Sequence, residues 1–193
     1  MQLQMIWPAS KWNAVIIPPL VPGYLLRTAR LDEEQAINEI LLASGFSDWT
    51  SETYQQWFDK VIPDGLWLIE HAASGQAVCC TWACHRRMKR HPYGGELGWV
   101  GCRPEHTGKG LAAVTCAAVV RRFRQAGYRC IYLQTDDQRL PALKTYLKLG
   151  WIPNVMETEP DMPGRWQAVC EKLGWTCNLE GWAREVEATR ARW

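Results

Sequence analysis

Two glycines separated by one lysine, Gly108 and Gly110, stand where an apolar, alanine-rich helix is expected to begin, in the stretch RPEHTGKGLAA. The first amides of a helix have no intrahelical acceptor, and the helix dipole adds partial positive charge there. Glycines would let an anion reach those amides, and Lys109 would add a positive charge. The spacing indicates a phosphate or pyrophosphate site, although a strand-to-helix turn also carries glycine for geometric reasons alone.

Two well-known phosphate loops do not fit this stretch. The pattern GxxxxGK[ST] is absent, because Leu111 and Ala112 follow Gly110. The pattern GxGxxG is absent too, because Ala113 stands where its last glycine belongs. The loop must therefore belong to another kind of anion site, or to none.

The elements around the loop predict a strand–helix–strand crossover. The strand ELGWVGC precedes the loop, the helix GLAAVTCAAVVRRFRQAG follows it, and the strand CIYLQT comes next. Such a crossover joins two parallel strands and is right-handed. Before the crossover, the sequence predicts the strand YLLRTAR, two helices and the hairpin LWLIEHAASGQAVCCTWAC. The two helices are LDEEQAINEILLAS, capped by Asp32, and SETYQQWFDKV, capped by Thr50 or Ser51. After the crossover, it predicts the helix LPALKTYLKLG and the strand WIPNVM.

This order of elements predicts an α+β fold with a mixed sheet rather than a doubly wound one. Residues 1–22 are interpreted as an irregular N-terminal arm packed on the domain. Residues 23–155 form its core, and residues 156–193 form a C-terminal segment of mixed structure that completes the same domain.

Composition excludes several function classes. The 193 residues are 47% hydrophobic and 22% charged, with a net charge of +2, which gives no strong attraction to nucleic acid or membranes. The eight cysteines show no CxxC pair and no metal-ligand spacing, so we expect no metal and mostly buried, reduced thiols. The start lacks a signal peptide, and prolines break the apolar run AVIIPPLVPGYLL, so we expect a cytoplasmic protein without a membrane span.

The basic run HRRMKRHPYGG is interpreted as a solvated loop, with a patch for phosphate or an acidic partner as the alternative.

Two segments together resemble the GNAT superfamily of acyl-CoA-dependent N-acyltransferases. GWVGCRPEHTGKGLA resembles the family's strand and its [Q/R]-x-x-G-x-[G/A] loop, with Thr107 where Gln or Arg is usual. DDQRLPALKTYLKLGW resembles the family's N-x-x-A-x-x-x-Y-x-K-x-G-F segment, with Arg139 in place of Asn and Trp151 in place of Phe. The resemblance covers residues 96–153 well.

The resemblance implies the GNAT fold, a mostly antiparallel sheet in which one parallel strand pair splays apart to admit the pantetheine of acetyl-CoA. Helices flank that sheet. The implied cofactor-binding residues are Val100, Gly101 and Cys102 on the first splayed strand, Thr107, Gly108, Lys109, Gly110, Leu111 and Ala112 in the loop, Thr135 on the second strand, and Arg139.

The resemblance also implies two catalytic residues. Tyr146 would protonate the departing thiolate, unless it is a core tyrosine with a satisfied hydroxyl. Glu96 would accept the proton of the amine, unless it is an exposed carboxylate at a strand end. His106 and Cys102 are weaker alternatives, as a catalytic histidine and a nucleophile.

The acceptor is a primary amine that the sequence does not identify. The family's acceptor pocket would here be built from Trp49, Tyr54, Trp57, Glu157, Glu159 and Asp161, aromatic walls with acids that suit a cationic amine, or else the acids form a solvated loop. The implied activity is acetyl transfer from acetyl-CoA to that amine. A non-catalytic acyl-CoA-binding sensor or interaction module on the same fold is the alternative, and a homodimer is left open.

Overall fold

The computed structural model describes residues 2–89, 91–156 and 161–193. Within these residues the chain forms one seven-stranded sheet in the order β2-β3-β4-β5-β6-β1-β7. The β5–β6 pair is parallel and the other neighbouring pairs are antiparallel. The strands are β1 (Leu3–Ile6), β2 (Tyr24–Thr28), β3 (Val61–His71), β4 (Gln76–His85), β5 (Gly95–Cys102), β6 (Ile131–Thr135) and β7 (Ile152–Pro153).

Helices flank this sheet, which confirms the predicted α+β class. Thr50 caps α2 by accepting a hydrogen bond from the Thr53 amide at 3.1 Å, as expected. Asp32 does not cap α1; Glu33 stands at that position, and Arg27 binds its carboxylate instead. The helices are α1 (Glu34–Ala43), α2 (Ser51–Phe58), α3 (Leu111–Gln125), α4 (Leu140–Leu149), α5 (Met162–Leu173) and α6 (Leu179–Arg190).

The crossover from β5 through α3 to β6 has the predicted parallel arrangement. Gly95, Glu96 and Leu97 of β5 lie opposite residues 131–133 of β6. The apolar face of α3 is buried against the sheet through Cys116, Val119, Val120 and Phe123. Burial of this face fixes the direction of α3, and so fixes where its first turn meets the end of β5.

The N-terminal segment is not the irregular arm that the sequence predicts. Its residues 3–6 form β1, which lies between β6 and β7 and pairs with both. All four side chains of β1 are buried, including the polar Gln4, so both faces of the strand are covered. Alternation of polar and apolar residues over so short a strand is a weak signal, which explains the error.

The C-terminal segment consists of two helices within the described residues. Trp166 and Val169 of α5 belong to the largest hydrophobic core, and Val186 of α6 packs with Ile6 and Tyr132. Both helices are therefore tied to the sheet by buried contacts. Among the described residues, no helix is at once long enough and apolar enough to cross a membrane.

Gly95 permits the close approach of α3 to β5. A Cβ atom at this position would lie 2.5 Å from Cε1 and 2.6 Å from Cδ1 of Phe123, whose ring is fully buried. Gly98, three residues along the same strand, has open space where its Cβ would stand. The two glycines form a matched pair for testing this packing.

We expect Gly95→Ala to lower the free energy of unfolding by about 1–3 kcal/mol, because the buried Phe123 ring cannot move away without cost. Gly98→Ala should change it by less than about 0.5 kcal/mol. Urea unfolding followed by circular dichroism measures both. Equal losses in the two variants would show that α3 does not depend on the missing side chain.

Candidate active site

A bulge interrupts the pairing of β4 with β5. Trp82 faces Gly98 and Cys80 faces Gly101, so the single residue Thr81 lies opposite two residues, Trp99 and Val100. Trp99 has φ 50°, a left-handed conformation that large side chains rarely adopt. An extra residue in one strand bends that strand and breaks the local ladder.

Three aromatic rings hold Trp99 in this conformation. Its ring centroid lies 5.3 Å from Phe46, 4.4 Å from Trp49 and 5.0 Å from Trp57, each in an edge-on arrangement. Trp49 is itself almost fully buried, against Trp82. Edge-on aromatic contacts add to the gain from burial, so this cluster offsets the strain of the bulge.

Beyond the bulge, β5 separates from β6. Their parallel register runs from Gly95↔Ile131 to Leu97↔Leu133 and extends no further. A cleft of about 240 Å³ opens at this point. Its lining is Gln2, Phe46, Trp57, Arg86, Glu96, Leu97, Gly98, Trp99, Val100, Gln134, Thr135, Asp136, Arg139 and Tyr146.

Glu96 lies in this lining and is buried, with 5% of its surface exposed. The Arg86 Nη1 donates to both carboxylate oxygens, at 2.9 and 3.1 Å, and to Gln134 Oε1 at 3.2 Å. The Tyr132 hydroxyl donates to the Arg86 carbonyl at 2.9 Å and lies 3.4 Å from Glu96 Oε2. These contacts hold the carboxylate in a fixed position inside the cleft.

Burial and pairing act on Glu96 in opposite directions. Removal from water raises the pKa of Glu96 above its ordinary value, and the Arg86 guanidinium lowers it by a smaller amount. A carboxyl with a raised pKa is a stronger base than an ordinary glutamate once it is ionised. A carboxylate with this position and this shift in pKa is chemically able to accept a proton from a group in the cleft.

Tyr146 lies in the first two turns of α4 and also lines the cleft. It is 5% exposed, and burial raises the pKa of its hydroxyl, so the phenol stays protonated near neutral pH. Its ring packs edge-on with Trp151 at 6.5 Å. The side chain thus belongs to the core and presents a proton donor at the edge of the cleft.

The glycine loop lies at the carboxyl end of β5. Gly108 and Gly110 both have φ 76°, and a Cβ on either would meet only open space. Among the described residues, no acceptor contacts the backbone amides of residues 108–112. Lys109 is exposed in the same turn, and its Nζ donates to the Glu105 carbonyl at 3.0 Å. Free amides at the start of α3 form a suitable anion site.

The structure brings five of the expected site residues into one cleft, whose lining includes Glu96, Val100, Thr135, Arg139 and Tyr146. The residues of the glycine loop are not in that lining, and they follow β5 after an intervening turn over residues 103–106. Two neighbours of Val100 face elsewhere. Gly101 is packed against Ile40 and Leu41 of α1, and the Cys102 amide donates to Ser44 Oγ at 2.8 Å.

The expected acceptor walls are wrong in part. Trp49 and Tyr54 are buried in the core that α1 and α2 form with β3 and β4. Of the three aromatic residues, only Trp57 reaches the cleft. Asp161 is exposed and caps α5, since its carboxylate accepts from the Gly164 amide at 3.2 Å. Glu157 and Glu159 lie outside the described residues.

Two weaker alternatives lie away from the cleft lining. His106 Nδ1 contacts the Tyr24 hydroxyl at 2.8 Å, and His106 is not part of the cleft lining. Cys102 lies at the end of β5, opposite Cys79 of β4. Neither residue is placed to act on a group held between β5 and β6.

Arg86 is a candidate site residue that the sequence did not reveal. It is part of the basic run interpreted as a solvated loop, yet its guanidinium binds Glu96 inside the cleft. The hairpin register contained the signal, because β4 and β5 are antiparallel and Cys84 faces Glu96. A residue two positions after Cys84 lies near that carboxylate. Tyr132 and Gln134, also missed, reach the same group from β6.

Comparison with known proteins identifies a family. A family model described as the acetyltransferase (GNAT) family matches residues 34–151. A mycothiol acetyltransferase of Pseudarthrobacter chlorophenolicus is 32% identical over 114 residues, which make up 57% of this chain and 34% of that protein. The chain thus spans about a third of the length of this curated relative.

Solved structures share the fold. A GCN5-related N-acetyltransferase from Sphaerobacter thermophilus has a TM-score of 0.59 and 21% identity, covering 80% of this chain and 50% of that chain. A chain of the NatC complex, solved with a Gag peptide and CoA, has a TM-score of 0.59 and 14% identity, covering 66% of this chain and 84% of that chain.

A carbon NMR titration of the glutamate carboxyls would test the electrostatics of the cleft. We expect the pKa of Glu96 to lie above its ordinary value and to rise further in Arg86→Gln, since the charge that favours the ionised form is removed. The pKa of Glu39, which Arg103 lowers on the protein surface, should stay unchanged and serves as the internal control. An unshifted Glu96 in Arg86→Gln would show that the pair does not set its charge.

Proposed function

Since the chain belongs to the acetyltransferase (GNAT) family, we propose that it transfers an acyl group, most simply acetyl, from acyl-CoA to a primary amine. The observation that carries this proposal is the cleft between β5 and β6, which holds a buried carboxylate and a protonated phenol. The glycine loop with its free amides lies at the carboxyl end of β5.

The residues at this end of the sheet fit acetyl-CoA. The amides of residues 108–112 would bind its pyrophosphate, and Lys109 would add a positive charge. The parted edges of β5 and β6, at Val100 and Thr135, leave room for an extended pantetheine arm. When bound, acetyl-CoA supplies a thioester whose carbonyl carbon is open to attack by an amine.

Glu96 would take the proton that the amine must lose. An amine is protonated at neutral pH, and only its neutral form has a lone pair for attack. The carboxylate is fixed by Arg86 and faces the cleft, so it can accept that proton directly or through one water. Because the pKa of Glu96 is raised, activity should fall on the acidic side as this carboxyl becomes protonated.

Tyr146 would supply the proton that the departing thiolate needs. Burial raises the pKa of its hydroxyl and keeps it protonated until a stronger base forms beside it. The α4 backbone and the packing against Trp151 fix the ring, so the hydroxyl would be oriented before the thiolate forms. Val100 is the candidate for an amide that donates to the carbonyl oxygen of the thioester.

The activity is tested by mixing the protein with acetyl-CoA and a panel of primary amines, and by measuring free thiol. Release of thiol that depends on the amine supports the transferase. Binding of acetyl-CoA without any amine-dependent release would instead indicate the non-catalytic acyl-CoA-binding module.

We expect Tyr146→Phe to lower kcat about 10²-fold, the usual scale of general acid catalysis, with little change in acetyl-CoA affinity. The variant keeps the buried ring and removes only the proton donor. Tyr128→Phe is the matched control, because that hydroxyl contacts His85 outside the cleft lining. Wild-type turnover in Tyr146→Phe would assign Tyr146 to the core alone.

A further inference from the structure

Two guanidinium groups line the cleft, and they differ in what they bind. Arg86 is occupied, because its Nη1 donates to both oxygens of Glu96. Arg139 is half-buried, and no acid or other acceptor among the described residues binds its guanidinium. A guanidinium carries five donors, so this cleft contains a cation to which no acid among the described residues is bound.

The Arg139 side chain lies over an aromatic face. Its Cζ lies 4.1 Å from the centroid of the Phe46 ring, which itself packs on Trp99 at the bulge. Stacking uses the flat face of the guanidinium and leaves the N–H groups at its edge free. The group is therefore held in place with its donors available.

The surroundings of Arg139 favour a negative charge on a ligand. Arg139 is the cap residue of α4, so the first turn of that helix adds partial positive charge beside it. The two acids of the cleft, Glu96 and Asp136, belong to or directly follow strands β5 and β6, and neither forms an ion pair with Arg139. Asp136 lies in the turn before Arg139, whose amide donates to the Asp136 carbonyl at 3.1 Å, while the Asp136 carboxylate accepts from the Gln2 amide at 3.1 Å.

We propose that the acceptor is a primary amine that also carries an anionic oxyacid group, a carboxylate or a phosphate, and that Arg139 binds this group. The inference rests on the proposed acyl transfer and names the class of its acceptor. The amine end would lie towards Glu96, and the oxyanion would accept two parallel hydrogen bonds from the guanidinium edge. Arg139 thereby becomes a residue that determines acceptor specificity, rather than a contact of the pantetheine.

The test compares pairs of amines that differ only in the anionic group. Amino acids with the amine at the α or the terminal carbon are paired with their carboxamides, and phosphoethanolamine is paired with ethanolamine. Thiol release gives kcat/KM for each member, with calorimetry for acetyl-CoA affinity. The carboxylate and phosphate pairs distinguish the two sources of the anion.

Wild-type protein should prefer the anionic member of at least one pair by about tenfold or more, the scale of hydrogen bonds to a charged group. In Arg139→Gln this preference should fall to within about twofold, while acetyl-CoA affinity stays unchanged. Arg139→Lys keeps the charge without the two-point geometry and should retain part of the preference. Arg121→Gln, on the exposed face of α3, is the matched control and should behave as wild type.

Equal use of anionic and neutral amines by the wild type would overturn this proposal and leave the acyl transfer intact. Weaker acetyl-CoA binding in Arg139→Gln with unchanged acceptor preference would also overturn it, and would return Arg139 to the pantetheine.

If no amine is acetylated although acetyl-CoA binds, the proposed transferase fails. Saturation-transfer NMR of the same amine pairs in the presence of CoA then tests, independently of catalysis, whether Arg139 binds the anionic group. Anion-dependent binding that is lost in Arg139→Gln supports the proposal, and its absence in the wild type refutes it.

Discussion

The cleft depends on the left-handed backbone of one large residue, Trp99. At φ 50° it inserts an extra residue into β5, and β5 stops pairing with β6 after Leu97. A bulky side chain in this region costs on the order of 1–3 kcal/mol, so the conformation persists only where its surroundings impose it. Rings contributed by the loop after α1 and by α2 impose it here. Packing of those two helices on the sheet and opening of the cleft are thus parts of one interaction.

The second constraint is electrostatic and crosses three strands. Arg86 follows β4, Glu96 belongs to β5, and Tyr132 and Gln134 belong to β6. Burial raises the pKa of Glu96 while Arg86 limits the rise, so the carboxyl can be ionised and still be basic. Removing Arg86 would leave a buried charge unpaired, which is costly. The network thus connects the strands at the point where β5 and β6 begin to part, and it influences the charge of the Glu96 carboxyl in the cleft.

The sequence predicts the parts of this site that depend on local pattern. The crossover follows from an apolar strand, a glycine turn and a helix of regular period, and the free amides follow from the position of Gly108 and Gly110. Contacts between distant segments leave no such pattern. The strand Leu3–Ile6 is buried on both faces, and Arg86 is read as solvated until the hairpin register places it beside Glu96. Trp49, expected in the acceptor wall, is used for packing, because residue type alone does not distinguish a core indole from an exposed one.

The most direct test of a cosubstrate site at the start of α3 is calorimetric titration of acetyl-CoA into wild-type protein, Gly110→Gln and Gly110→Glu. Both side chains meet the same open space and the same left-handed backbone strain, and they differ only in charge. The expected result is tight binding by the wild type, with an affinity for Gly110→Glu about 100-fold or more below that of Gly110→Gln, because a carboxylate beside the free amides repels the pyrophosphate. Equal affinities in the two variants would contradict a pyrophosphate site at these amides.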